Sequence, residues 1–537
     1  MTDNESWDVI VVGSGATGGV AAMTLSEGGC RVLVIEAGRD LTPEQTFPGE
    51  LTNTIGRLRG ISSGRHRRQA QHPGYWKNNP ELYVDERLHP YDHPDDQPFL
   101  WTQGQQVGGR SLTWGGITLR LSDEDFEGVN LDDTTQRWPI GSAELTPHYD
   151  ALERCLGVHG AHDQLDHLPD GASATPLPFT AAEQRFADQV EQRLGHRVIH
   201  ARGFAPHRQE EGPWPRSSSR GSSLQHALDS GRVQVLSDHK VERLLMATHG
   251  EHADGVVAVD QSNGSRKELK ASHVVLCGST IQSIAVLLRS RQQGLHEPSG
   301  QLGQRLMDHV STAQFFAMPG PSDTPQPALS GAGSFFLPFG RRLQDPDFSG
   351  GYGLWGGIGR FDPPGWLKRT SNSTTGFLIG HGEVMPDPSN RVSLSRRCDR
   401  WGIAIPHIAC RWRANEQAMV RHMRRTMLAC IEAAGAQALP IKDLFRLPLV
   451  EPMLEGAVAL SESAPPPGYY IHEVGGAPMG VSPESSVVDS WNRLWRCPNV
   501  LVVDGACWPT SAWQSPTLTM MAITRRACQA LVSPQGE

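Results

Sequence analysis

Gly13-Ser14-Gly15-Ala16-Thr17-Gly18, with Glu36 eighteen residues beyond Gly18, has the spacing of a dinucleotide site. Each glycine has a separate task. Gly13 permits a tight turn, Gly15 lets a pyrophosphate approach the backbone, and Gly18 lets a helix pack closely on a strand. Glu36 places a carboxylate where it binds a ribose 2′-hydroxyl and disfavours the 2′-phosphate of NADP. The elements needed to position these residues are present. Trp7-Asp8-Val9-Ile10-Val11-Val12 reads as a buried parallel strand, Ala21 and Leu25 repeat at helical spacing, Gly28-Gly29 stops the helix, and Arg31 to Glu36 reads as a second strand. FAD and NAD both satisfy this β-α-β fingerprint, as does a glycine-rich turn in an ordinary α/β domain.

Composition bounds the rest. The chain has 537 residues, 57 of them Gly and 39 Pro, which suits a loop-rich globular enzyme of two or more domains. Its net charge of −9 argues against nucleic acid and tolerates a cationic ligand. Nine cysteines are scattered singly, with no Cys-x-x-Cys clip, so no metal site is expected. The odd count fits reduced thiols and a cytoplasmic location. The N-terminus is acidic, unlike a signal peptide, and no apolar run is long enough for a membrane span.

A second group of motifs stands near the C-terminus. His472-Glu473-Val474-Gly475-Gly476-Ala477-Pro478-Met479-Gly480 is followed by Asn499 to Ala506, Pro509 and Ser515-Pro516-Thr517-Leu518-Thr519. Gly104 to Arg120, Trp138-Pro139-Ile140, Val274 to Ser279, Leu306-Met307-Asp308-His309, Gly382-Glu383-Val384 and Asn390-Arg391-Val392 lie between. With the N-terminal turn, these pieces resemble, in order, the glucose–methanol–choline (GMC) family of FAD-dependent alcohol oxidoreductases. The C-terminal wording from Gly505 to Pro516 is most similar to that family's oxidases of aminoglycoside biosynthesis.

The resemblance implies an α/β fold of the GMC/p-hydroxybenzoate-hydroxylase-like kind. A discontinuous Rossmann-type FAD domain (1–50, 101–120, 180–310 and 466–537) would join an antiparallel-sheet substrate domain with lid segments (51–100, 121–179 and 311–465). The cofactor residues would be Gly13, Gly15, Ala16, Thr17, Gly18, Glu36, Ala37, Gly108, Gly109, Ser111, Trp114, Gly115, Gly116, Val241, Asp504, Gly505, Pro516 and Thr517. The plain reading of Trp114, Gly115 and Gly116 is core packing of a tight loop.

His472 would be the catalytic base, since an imidazole titrates near neutrality. The family usually has Asn or His where Ser515 stands. Serine donates a hydrogen bond but takes no proton unaided, which leaves His472 as sole base; alternatively Ser515 only shapes the turn. Thr113 holds the place where some members carry a flavin-linking histidine, so FAD is expected to be non-covalent. The substrate expected is a primary hydroxyl of an amino-sugar, oxidised to an aldehyde. A neutral sugar oxidised at a ring hydroxyl is the alternative, and a non-redox lyase is a third. Oxygen or another electron acceptor would complete the cycle. Glu383, expected on a substrate-domain strand, and Gln514 are candidate substrate contacts.

Two charged stretches remain. Arg57 to Lys77 holds six basic side chains and no acid, and Glu81 to Gln97 holds six acids against Arg87. They read either as a mutually paired subdomain or as an attractor for a cationic substrate.

Overall fold

The computed structural model describes residues 7–128, 137–320, 328–343, 345–360, 369, 372–444 and 464–533. The expected acidic N-terminus and most of 445–465 in the expected substrate domain lie outside these residues.

Strand β1 (Trp7–Val12), helix α1 (Ala16–Glu27) and strand β2 (Val32–Ile35) form the expected β-α-β unit. β1 and β2 pair in parallel, Val9 to Val32 through Val12 to Ile35. All four β2 residues are buried, as a strand covered on both faces requires. Val233–Leu236 extends the sheet beside β2, and Cys497–Val502 extends it from the other side.

Arg266–Leu276 has two kinds of neighbour. Residues 271–276 run parallel to β1, whereas residues 266–270 pair antiparallel with Ala253–Asp260. A turn at Asn263-Gly264 joins these two strands, with Gly264 at φ +80°. Eight strands form this sheet in all. The terminal helix Thr517–Val532, with Pro516 as its N-cap, packs on α1.

A second, six-stranded sheet is antiparallel throughout. Its centre is Val310–Pro319, Ser373–Gly382 and Tyr352–Ile358. Helix Ala414–Ala433 covers one face through Met419, Met423 and Met427, which close over Gly380 and Gly382. Its edge corrects the expected domain boundary at 180. Ile199–His200 pairs with Phe335–Phe336, and Phe186 of helix Ala181–Leu194 packs on Phe316 and Phe335. Residues 181–200 thus belong with the antiparallel sheet, held there by the buried Arg360–Glu183 pair. A two-residue strand carries too little periodicity to be read in advance.

The charged stretches pair with each other in part, through Arg65. Arg65 bonds Glu81 and Asp85, and the Glu86 carboxylate accepts from the backbone N–H groups of Arg68 and Gln69. Arg39 takes the remainder of Glu81, and Arg87 that of Asp85. These acids therefore do not form an unpaired attractor. Among the described residues no helix is long and apolar enough to cross a membrane, and no metal-binding group of side chains occurs.

Candidate active site

Both sheets border one cavity of about 490 Å³. Of the expected cofactor residues, Gly13, Gly15, Ala16, Thr17, Glu36, Ala37, Gly109, Ser111, Trp114, Gly115, Gly116, Val241, Asp504, Gly505, Pro516 and Thr517 line it. Gly18 and Gly108 stand behind that lining. A Cβ on Gly18 would lie 2.0 Å from the Gly13 carbonyl oxygen, and Gly108 donates its N–H to Ser14 Oγ at 3.0 Å.

The local geometry fits a dinucleotide. Gly13 has φ +98°, and a Cβ there would meet the Cys277 carbonyl oxygen at 2.4 Å. A Cβ on Gly15 would meet nothing within 4 Å, so this backbone is open to the cavity. α1 has no acidic residue in its first turn, leaving its positive end free for phosphate oxygens. Glu36 is buried and fixed by Ser14 N–H at 3.0 Å, Ser14 Oγ at 2.6 Å and Gly38 N–H at 2.9 Å. Burial raises its pKa, against those hydrogen bonds, which lower it. Asp504 accepts from Ala506 N–H and Ser283 Oγ, which sets the turn leading toward the terminal helix. Gly18→Ala is expected to abolish cofactor retention, because the new methyl can be relieved only by separating α1 from the turn. Flavin absorbance of the purified variant checks this.

At the other end, His472 lines the cavity beside Tyr469, Tyr470, Ile471, Trp355, Ile379, Ser311, Thr312 and Ser515. Asp308 holds the His472 segment. Its carboxylate accepts from the N–H groups of His309, Gly468 and His472, each at 2.8 Å. Met307 and Val474 exchange both backbone hydrogen bonds. Ile471, directly before His472, has φ +64°, an outlier for a β-branched residue that this clamp holds in place.

His472 Nδ1 lies 2.8 Å from His309 Nδ1, and Tyr470 stands edge-on to the His472 ring at 4.8 Å between centroids. Burial, then the neighbouring His309, His381 and Arg110, hold the His472 pKa well below 6.5. That direction favours the uncharged ring, and His472 is half-buried at the cavity wall. Ser515 is 5% exposed and borders the same cavity, with no hydrogen-bond partner among the described residues.

Two expected substrate contacts are corrected. Glu383 lies one residue beyond its strand, is 1% exposed and does not line the cavity. It forms a bidentate pair with Arg341 at 2.7 and 3.1 Å and accepts from Gly351 N–H. Gln514 is fully buried, donating to Asp125 Oδ2 at 2.6 Å away from the cavity. In both cases the deciding partner is distant in sequence.

Sequence reasoning also missed residues. In the sequence His309 stands only inside a matched motif, and nothing local marks His381, Tyr470 or Trp355. Asp308 does carry a signal, an acid directly beside a histidine in the run Leu306 to His309. The Arg110–Glu473 pair at 3.0 Å carried no local signal.

A sheet carrying a dinucleotide turn, joined at one cavity to an antiparallel sheet, with a half-buried histidine where they meet, is the arrangement of an oxidoreductase. The chain belongs to the GMC oxidoreductase family, whose N-terminal model matches residues 7–311 and whose C-terminal model matches residues 386–524. It is an FAD-dependent oxidoreductase acting on CH–OH groups. It is similar to paromamine 6′-oxidase from Streptomyces fradiae, 27% identical with 98% of this chain and 92% of that protein covered. It is also similar to 6‴-hydroxyparomomycin C oxidase from Streptomyces lividus, 26% identical with 99% and 92% covered. The fold matches that of pyridoxine 4-oxidase from Mesorbium loti, with a TM-score of 0.61, 19% identity, and 99% and 100% of the two chains covered.

Proposed function

We propose that this enzyme oxidises a primary hydroxyl of a sugar glycoside to an aldehyde, with an amino-sugar as the substrate. The observation that carries the chemistry is the half-buried His472 imidazole, its pKa held below the usual histidine value, on the same cavity as the dinucleotide turn. Bound FAD would supply the hydride acceptor. His472 takes the hydroxyl proton, and Ser515 donates a hydrogen bond to the substrate oxygen. Holding alcohol and base in register is itself worth several kcal/mol of barrier, about 7 or more when alignment is near ideal.

Trp355 and Tyr470 offer flat apolar faces, and Ser311, Thr312 and Ser515 offer hydroxyls, a lining suited to a sugar ring. The amino-sugar assignment is supported by the names of the two Streptomyces relatives. One observation favours a neutral sugar as the second reading. Among the described lining residues the carboxylates are Glu36, Glu473 and Asp504, and all three already have protein partners.

Anaerobic flavin reduction by paromamine, glucose and a neutral methyl glycoside separates the readings. The proposal expects fastest reduction by paromamine and an aldehyde product. Faster reduction by the neutral sugars, or a ketone, moves the enzyme to the second reading. No bleaching by any sugar alcohol overturns both.

Non-covalent FAD is part of the same proposal. Thr113 lines the cavity and bonds only the Arg110 carbonyl, and its hydroxyl cannot form a histidyl link. Acid precipitation is expected to release all the flavin into the supernatant. A yellow washed pellet would contradict it.

A further inference from the structure

We propose that His309 is a positioning residue that dictates which nitrogen of His472 meets the substrate. The inference rests on the reading of His472 as proton acceptor. His309 Nε2 lies 2.5 Å from the Ala512 carbonyl oxygen. A carbonyl only accepts, so this nitrogen carries the hydrogen. A second hydrogen on Nδ1 would make the ring cationic. Burial, reinforced by His381, pushes the His309 pKa down to about 3, so the ring stays neutral. His309 Nδ1 is therefore a lone pair.

His472 Nδ1 faces that lone pair at 2.8 Å. The contact is a hydrogen bond only if His472 donates from Nδ1. His472 is itself neutral, so its Nε2 is left as a lone pair. The opposite tautomer would oppose two lone pairs at 2.8 Å and give the ring an N–H at Nε2, where no proton can be accepted.

The surrounding groups do not replace His309 in this task. His381 donates from Nδ1 to the Trp513 carbonyl at 2.7 Å. Its Nε2 is buried without a partner. Asp308 is occupied by three backbone N–H groups, and Glu473 by Arg110. Tyr470 contacts the histidine rings through its own ring. The chain Ala512 carbonyl, His309, His472 thus transmits one fixed hydrogen pattern from the backbone into the cavity.

Two substitutions and one direct observation test this. His309→Leu removes the acceptor, whereas His309→Asn puts an amide oxygen near the lost Nδ1. In FAD-loaded enzyme at saturating substrate, His309→Leu is expected to slow anaerobic flavin reduction by about 10–100-fold, less than the ~100–10,000-fold of a lost acid or base because His472 itself remains. KM should change much less, and His309→Asn should recover most of the rate. Equal losses in the two variants would reduce His309 to a space-filling role and overturn the proposal. Neutron diffraction from deuterium-exchanged crystals of the unaltered enzyme reads the pattern without turnover. Deuterium on His472 Nδ1 and His309 Nε2 is expected, and deuterium on His472 Nε2 overturns it even if neither variant folds. An active His472→Ala enzyme would instead refute the proton-acceptor reading, leaving the neutron result to stand separately.

Discussion

His472→Ala is expected to slow anaerobic flavin reduction by at least ~100-fold, the lower end for loss of a general acid or base, with FAD still bound. Cofactor retention should survive because the residues around the dinucleotide turn are supplied by other segments. Ser515→Ala should cost less, since it removes one hydrogen bond rather than the proton acceptor. Equal losses from the two substitutions would defeat the single-base mechanism.

The pH profile supplies a second readout of the same residue. Burial disfavours imidazolium, so the proton-free form of His472 persists to lower pH than an exposed histidine allows. The acidic limb of kcat/KM should therefore fall well below pH 6.5. Asp308, Glu473, Arg110, His309, His381 and Tyr470 are the titratable groups around it. A limb at 6.5 or above in the unaltered enzyme, displaced in Asp308→Asn, would transfer the titration to Asp308, whose pKa burial and Glu473 raise to about 7.

Glu383→Ala is expected to lower stability by about 3–5 kcal/mol, with KM unchanged. It would leave the Arg341 guanidinium, 12% exposed, without its bidentate partner. Arg341 also donates to the carbonyls of Glu124 and Gly128, so the pair joins the segment around residue 125 to the end of strand Ser373–Gly382. Chemical denaturation measures the first effect and steady-state kinetics the second. A higher KM at unchanged stability would restore Glu383 to substrate binding.

The contrast between Glu36 and Glu383 marks how far sequence alone reaches. Glu36 could be placed because its strand, turn and helix lie within thirty residues of one another and leave a local glycine pattern. Glu383 had the same chemistry but a partner 42 residues away, and Gln514 had one 389 residues away. Neither pairing leaves a periodic trace. The same holds for His472. Its motif was readable, while the His309 ring that contacts it lies 163 positions earlier and leads into a different sheet. The parallel sheet was legible in its strand pattern, the antiparallel one only through the family resemblance. Residues 181–200 were not, because their attachment depends on Phe186, Glu183 and a two-residue edge strand.

Strand Arg266–Leu276 also bears on how the protein is made. Once about 280 residues have emerged from a ribosome, β1, β2 and this strand can already pair. The far side of Arg266–Leu276 still awaits Cys497–Val502, and α1 awaits the helix at Thr517–Val532. At roughly 5–20 residues per second, translating the intervening ~220 residues takes about 10–45 s. During that interval an unpaired strand edge and the apolar face of α1 are open to solvent, a surface suited to chaperones or to aggregation. Heterologous yield should therefore respond more to chaperone supply than to changes in the fully folded core.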